Sequence, residues 1–294
     1  MTDTLDGLRS AVQNRPLTTF ALLTFTLSWS AWGVAALTST GRPPRTALVA
    51  GAFGPPLAAV AIVAAGEADL RAWLAARLRW RVAARWYAVA LAIPLALAGL
   101  VSAAVVLAGG SLDRSVLPGR LAMFPLLLLF TALLGGGQEE LGWRGFAQPR
   151  LEERFGAPTA SVVVGVLWAC WHLPLFWLGA PRNGTGSFAL YAGLVVGFAV
   201  VLGWLYDRAG GSVLPAVLLH AGVNTSGSVV PARMATLEGL PLVIDAAGVA
   251  GMAILALAVL GWEHRQSSNG LGRAEDSPLS GRETADDGVV DGDD

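Results

Sequence analysis

Cysteine occurs once in the 294 residues, at Cys170, and lysine does not occur at all. A lone thiol excludes an intramolecular disulfide and any cysteine-built metal cluster. Lying in an apolar run, Cys170 reads as a small buried hydrophobe. All 20 basic residues are arginine, which we read as compositional bias rather than a site. Histidine occurs only three times, and charged residues make up only 14% of the chain, against roughly a quarter in soluble domains. Scarcity of charge, with 54% hydrophobic residues and a mean hydropathy of +0.57, excludes an ordinary soluble domain and points to a helical membrane protein. No cleavable signal is evident: the first apolar run is uncharged from Pro16 to Gly41. That is far longer than a signal-peptide core, so it reads as a retained helix.

Long hydrophobic runs are what the chain has in abundance. A bilayer-crossing helix needs about 20 apolar residues, and eight stretches approach that: 17–38, 46–65, 86–108, 121–138, 157–178, 187–205, 212–230 and 240–262. They predict an all-α polytopic membrane bundle of about eight transmembrane helices. Pro125 and Pro215 fall near predicted helix starts, where a missing N–H costs little. Fourteen arginines lie on the side that holds both termini and six on the other, so the positive-inside rule predicts both termini in the cytoplasm of a cell-membrane protein. Three parts follow: a cytoplasmic N-terminus at 1–16, a membrane-embedded unit at 17–262 and a tail at 263–294. The tail carries nine acids and three arginines and little apolar content, so it is expected to be disordered. The basic, tryptophan-containing connection from Gly66 to Arg85 is either an ordinary cytoplasmic loop or an amphipathic helix touching anionic lipid.

Three polar constellations interrupt the apolar runs. The first is Glu139-Glu140-Leu141-Gly142-Trp143-Arg144, preceded by an uncharged stretch from Leu121 to Gln138. Carboxylates at membrane depth are costly and mark function by default. Arg144 lies four residues after Glu140 and can pair with it on one helix face, leaving Glu139 to face a cavity; a solvated salt bridge at the membrane surface would produce the same string. The second is Trp168-Ala169-Cys170-Trp171-His172, with Trp168 one turn before His172 and able to wall a pocket. The third is His220-Ala221-Gly222-Val223-Asn224, whose two polar side chains share a face. A histidine in either run can also be plain interhelical glue.

Together these strings resemble the CPBP (Abi) family of intramembrane proteases, which includes the type II CAAX prenyl endopeptidases. That family shows a Glu-Glu-x-x-x-Arg motif, an aromatic-x-x-x-His motif and a His-x-x-x-Asn motif, in that order on three membrane helices. The likeness spans about 121–230, and Trp168 stands where the family often has Phe. It implies an intramembrane endopeptidase in which Glu139 activates water, His172 assists, and His220 and Asn224 stabilise the oxyanion of the tetrahedral intermediate. Glu140 and Arg144 would hold the site together. The implied partners are a peptide or protein substrate, with or without a lipid modification, and membrane lipids; no nucleic acid is expected. The implied mechanism needs no cofactor. Zinc remains an alternative, because two histidines and a glutamate can ligate it with a position left for water. A non-catalytic scaffold or immunity protein of the same fold, and a transporter, are the rival functions.

Overall fold

The computed structural model describes residues 14–39, 43–66, 69–178, 187–229 and 239–275. The described residues are overwhelmingly helical and contain no strand. Seven spans among them are long and apolar enough to cross a membrane, which makes this an all-α polytopic membrane bundle. They are α1 (Pro16–Thr38), the broken pair α2 (Arg45–Ala52) and α3 (Gly54–Ala65), α5 (Ala84–Leu107), α6 (Leu117–Leu134) with its continuation to Phe155, α8 (Ala157–Trp171) with α9 (Leu173–Trp177), α10 (Phe188–Arg208), and most of α12 (Leu240–Glu275). The stretch expected at 212–230 forms α11, Leu214–Val229. Its 16 residues reach about 24 Å, short of the roughly 30 Å hydrocarbon thickness, so it does not qualify as a span by length alone.

Proline explains several of the boundaries. The 46–65 stretch was expected as one helix, but Pro55 and Pro56 lack the N–H and crowd the preceding carbonyls, and the helix breaks at Phe53. Pro215 lies in the first turn of α11 as expected. Pro125 does not start a helix: α6 begins at Leu117 and carries Pro125 in its interior.

Packing separates core-facing from lipid-facing apolar residues. α10 packs between α8 and α12, α11 packs against α5 and α6, and α1 packs against α3. Val200, Leu202 and Leu205 of α10 are buried, whereas Leu126, Leu129 and Leu133 of α6 are exposed. Cys170, expected to be buried, is exposed on the outer face of α8.

The basic connection contains α4 (Leu70–Arg77), capped by Asp69 Oδ1, which accepts from the amides of Arg71 and Ala72 at 2.8 and 3.2 Å. Its far end is tied to the α10–α11 turn. Arg77 Nη1 donates to Tyr206 Oη at 2.8 Å, Arg79 Nη2 donates to the Gly210 carbonyl at 3.0 Å, and the Arg79 carbonyl accepts from Ser212 Oγ at 2.8 Å. At the other edge α12 runs on to Glu275, past residue 263 where the tail was expected to begin. Arg208 of α10 donates to Glu263 of α12 at 2.8 Å. Residues 1–13 and 276–294, which hold most of the expected terminus and tail, lie outside the described residues.

Candidate active site

The site is built around a break in the fourth span. α6 ends at Leu134, and Gly136 follows with φ +124° and ψ −33°, a conformation open in practice to glycine alone. The chain then resumes as a 3-10 turn (Gly137–Glu139), one α turn (Glu140–Gly142), a π turn (Trp143–Ala147) and α7 (Gln148–Phe155). The break is locked by its own hydrogen bonds: the Gly136 amide donates to Gln138 Oε1 at 2.9 Å, and the Glu139 amide donates to the Gly136 carbonyl at 3.0 Å. Both glutamates therefore sit at the start of a new helical segment, and π turns of this kind concentrate at functional sites.

Glu140 is fully buried and holds two partners. Arg144 Nη1 lies 3.0 Å from its Oε2, the pairing expected from the four-residue spacing, and His220 Nδ1 lies 2.6 Å from its Oε1. Arg144 is also fully buried; its Nη2 donates to the Ala199 carbonyl of α10 at 3.4 Å, and its guanidinium lies 5.0 Å from the Trp168 ring centroid. One carboxylate thus links the broken span to α11, and its arginine links it to α8 and α10.

Glu139 is buried as well, in a different setting. Its Oε2 accepts from Trp168 Nε1 at 2.8 Å. His172 lies at the junction of α8 and α9, its Nδ1 2.9 Å from the Trp168 carbonyl one turn earlier. Its ring is enclosed by Trp168, Trp171 and Tyr191 at centroid distances of 5.8, 4.6 and 5.4 Å. The His220 ring stands edge-on to Trp168 at 5.1 Å and to Phe198 at 5.5 Å. Trp168 therefore touches Glu139, Arg144, His172 and His220 at once.

Asn224 is exposed, and its Nδ2 donates to the Gly135 carbonyl at 3.0 Å. It shares with His220 a close approach to the next residue. A Cβ placed on Gly136 would lie 2.7 Å from Asn224 Nδ2 and 2.7 Å from His220 Nε2. The two nitrogens converge on one bare stretch of backbone, and Thr225 Oγ1, donating to Thr131 Oγ1 at 3.0 Å, holds α11 against α6 beside them.

All seven residues singled out in the sequence (Glu139, Glu140, Arg144, Trp168, His172, His220 and Asn224) are connected by these contacts. Trp168 thus stands between a buried carboxylate and two imidazole rings, while a ring nitrogen and an amide nitrogen converge on Gly136; groups of these types can serve as a base toward water and, where they carry a proton, as donors to an oxyanion. Among the described residues no three His, Cys, Asp or Glu side chains are grouped so as to hold a metal ion. Sequence reasoning missed Gly136, Phe198 and Tyr191. The triple glycine immediately before the glutamates was the available signal for the first; nothing in the sequence marked the other two.

Residues 121–226 match the family model described as type II CAAX prenyl endopeptidase Rce1-like, a stretch that contains all three motifs. Among curated proteins, CAAX prenyl protease 2 of Methanococcus maripaludis is 28% identical over 103 residues, covering 33% of this chain and 38% of that protein. The chain thus matches less than two fifths of that relative's length. Both findings support a CPBP/CAAX protease family, the one to which the three motifs pointed.

Proposed function

We propose that the protein is an integral endopeptidase of the cell membrane that hydrolyses a peptide bond by a glutamate-activated water; in this reading α11 is an eighth, short crossing, which puts both termini in the cytoplasm. The family likeness supports a CAAX-protease-like activity. The observation that carries the finer reading is the separation of tasks between adjacent glutamates. Glu140 is bound directly to Arg144 and His220, whereas Glu139 accepts the indole N–H of Trp168 and feels Arg144 only at longer range. Glu139 is then the base. It takes a proton from water, assisted by His172, as the oxygen attacks the scissile carbonyl carbon. The resulting oxyanion is met by Asn224 Nδ2 and by His220 Nε2. Because the Glu140 carboxylate accepts from Nδ1, the His220 ring donates from Nε2 when it carries both protons. An oxyanion donor in a water-poor site lowers the barrier by roughly 3–4 kcal/mol. Collapse breaks the C–N bond, and the proton held by Glu139 passes to the leaving amine.

The substrate is a peptide or protein, with or without a lipid modification, cut near the cytoplasmic face. Purified protein in detergent, screened against peptides with and without a chelator, tests this reading. We expect cleavage that the chelator does not touch and that Glu139→Ala abolishes while the variant stays folded and membrane-inserted. Cleavage by the alanine variant refutes the base assignment. Loss of activity with chelator favours the zinc alternative, and an inert wild type favours the scaffold.

A further inference from the structure

Resting on the glutamate-base reading, we propose that the indole Nε1–H of Trp168 positions Glu139 for attack, a task that a phenylalanine in its place could not perform. The ring of a phenylalanine would fill much of the same space against His172, His220 and Phe198, but it has no donor. In this chain the donor lies 2.8 Å from Glu139 Oε2, between buried partners.

Three observations make this more than packing. First, indole nitrogen can only donate, so a contact with a carboxylate oxygen is a directed bond to a charged acceptor, the strong kind of hydrogen bond. Second, the interior does not require its indoles to be paired. Among the described residues the Nε1 atoms of Trp73, Trp143, Trp171 and Trp204 are buried without a protein partner, whereas Trp168 points its N–H at the acid. Third, the Arg144 guanidinium lies 5.0 Å from the centroid of the same ring. A cation over the π face draws electron density from the indole and sharpens its N–H as a donor. The Glu140–Arg144 pair is thereby coupled to Glu139 through Trp168 as well as by the direct attraction between Arg144 and Glu139. Tying one carboxylate oxygen fixes the plane of the group, and the direction from which water is deprotonated depends on that plane.

Two variants separate the bond from the shape. Trp168→Phe removes the donor and some volume. Replacement of Trp168 by 3-benzothienylalanine, in which sulfur stands for the N–H, removes the donor and keeps the bicyclic outline. We expect kcat of the sulfur isostere to fall roughly ten-fold or more with KM unchanged. A second readout does not depend on activity. In protein labelled with ¹⁵N-tryptophan, the indole resonance missing from Trp168→Phe identifies Trp168, and Glu139→Ala should move that resonance upfield as the bond is lost. A resonance indifferent to Glu139→Ala overturns the proposal, and so does a sulfur isostere with wild-type kcat. Cleavage that survives Glu139→Ala would sink the base reading instead, with the resonance still reporting the bond.

Discussion

Alanine at position 136 is a sharper probe of the site's geometry than removal of any of its side chains. The new methyl group would lie 2.7 Å from Asn224 Nδ2, 2.7 Å from His220 Nε2 and 3.2 Å from His220 Cε1. Ordinary contact begins near 3.5 Å, so each nitrogen must withdraw by about 0.8 Å or the backbone must turn away. The backbone resists, because φ of +124° costs a residue with a Cβ about 1–3 kcal/mol. His220 resists too, since its Nδ1 is anchored to the buried Glu140. Misplacement of catalytic groups by about 1 Å can cost on the order of a hundred-fold in rate. We therefore expect Gly136→Ala to lower kcat by about two orders of magnitude while lowering thermal stability by only several degrees. The assay is peptide cleavage beside thermal unfolding in the same detergent. Gly99→Ala is the control. Gly99 sits in α5 with no atom within 4 Å of its added Cβ, and alanine there should be neutral or slightly stabilising. If Gly136→Ala cleaves at the wild-type rate, the convergence of Asn224 and His220 on this backbone has nothing to do with turnover.

Two further outcomes follow from other contacts. His220→Ala and Asn224→Ala should each lower kcat far more than they raise KM; parallel loss of binding and turnover in steady-state kinetics would argue against an oxyanion role. Glu140→Ala leaves the Arg144 guanidinium fully buried without its carboxylate, which should destabilise the protein by about 3–5 kcal/mol. That would appear as a large fall in melting temperature and in detergent-soluble yield, and a variant as stable as wild type would show that the pair does not hold the helices.

The spans were legible because a run of apolar residues announces a membrane helix whatever its neighbours do. The face that each helix turns inward was not legible, for a physical reason. Lipid and protein interior are equally apolar, so a leucine facing either leaves the same trace in the sequence. Leu129 and Leu205 illustrate this, one exposed and the other buried in similar runs, and the misjudged Cys170 is another instance. The polar side chains that cluster around Trp168 were conspicuous because polar groups in such runs are rare. Gly136 was hidden because glycine is common in membrane helices and its role depends on a backbone angle. The break at Phe53 was hidden because the 46–65 stretch is uncharged throughout and proline is common in membrane helices.

The adjacency of Glu139 and Glu140 raises the question of how one carboxylate becomes structural and its neighbour reactive. Position along the chain cannot decide it, since both are buried at the start of the same helical segment. The partners decide it. Glu140 faces an arginine four residues on and a histidine from α11, so its charge is consumed by neighbours that are themselves anchored. Glu139, turned about 100° around the axis, meets α8 and accepts the Trp168 N–H, while the nearby charge of Arg144 is bound directly to Glu140. A full cation bound to Glu139 would hold it better and make it a poorer base, because neutralising the carboxylate removes its tendency to take a proton. Pairs of carboxylates divided by environment in this way are how one site assigns distinct roles to chemically identical groups. Exchanging the partners, for example by placing arginine at 168, should therefore extinguish turnover even if Glu139 remains in place.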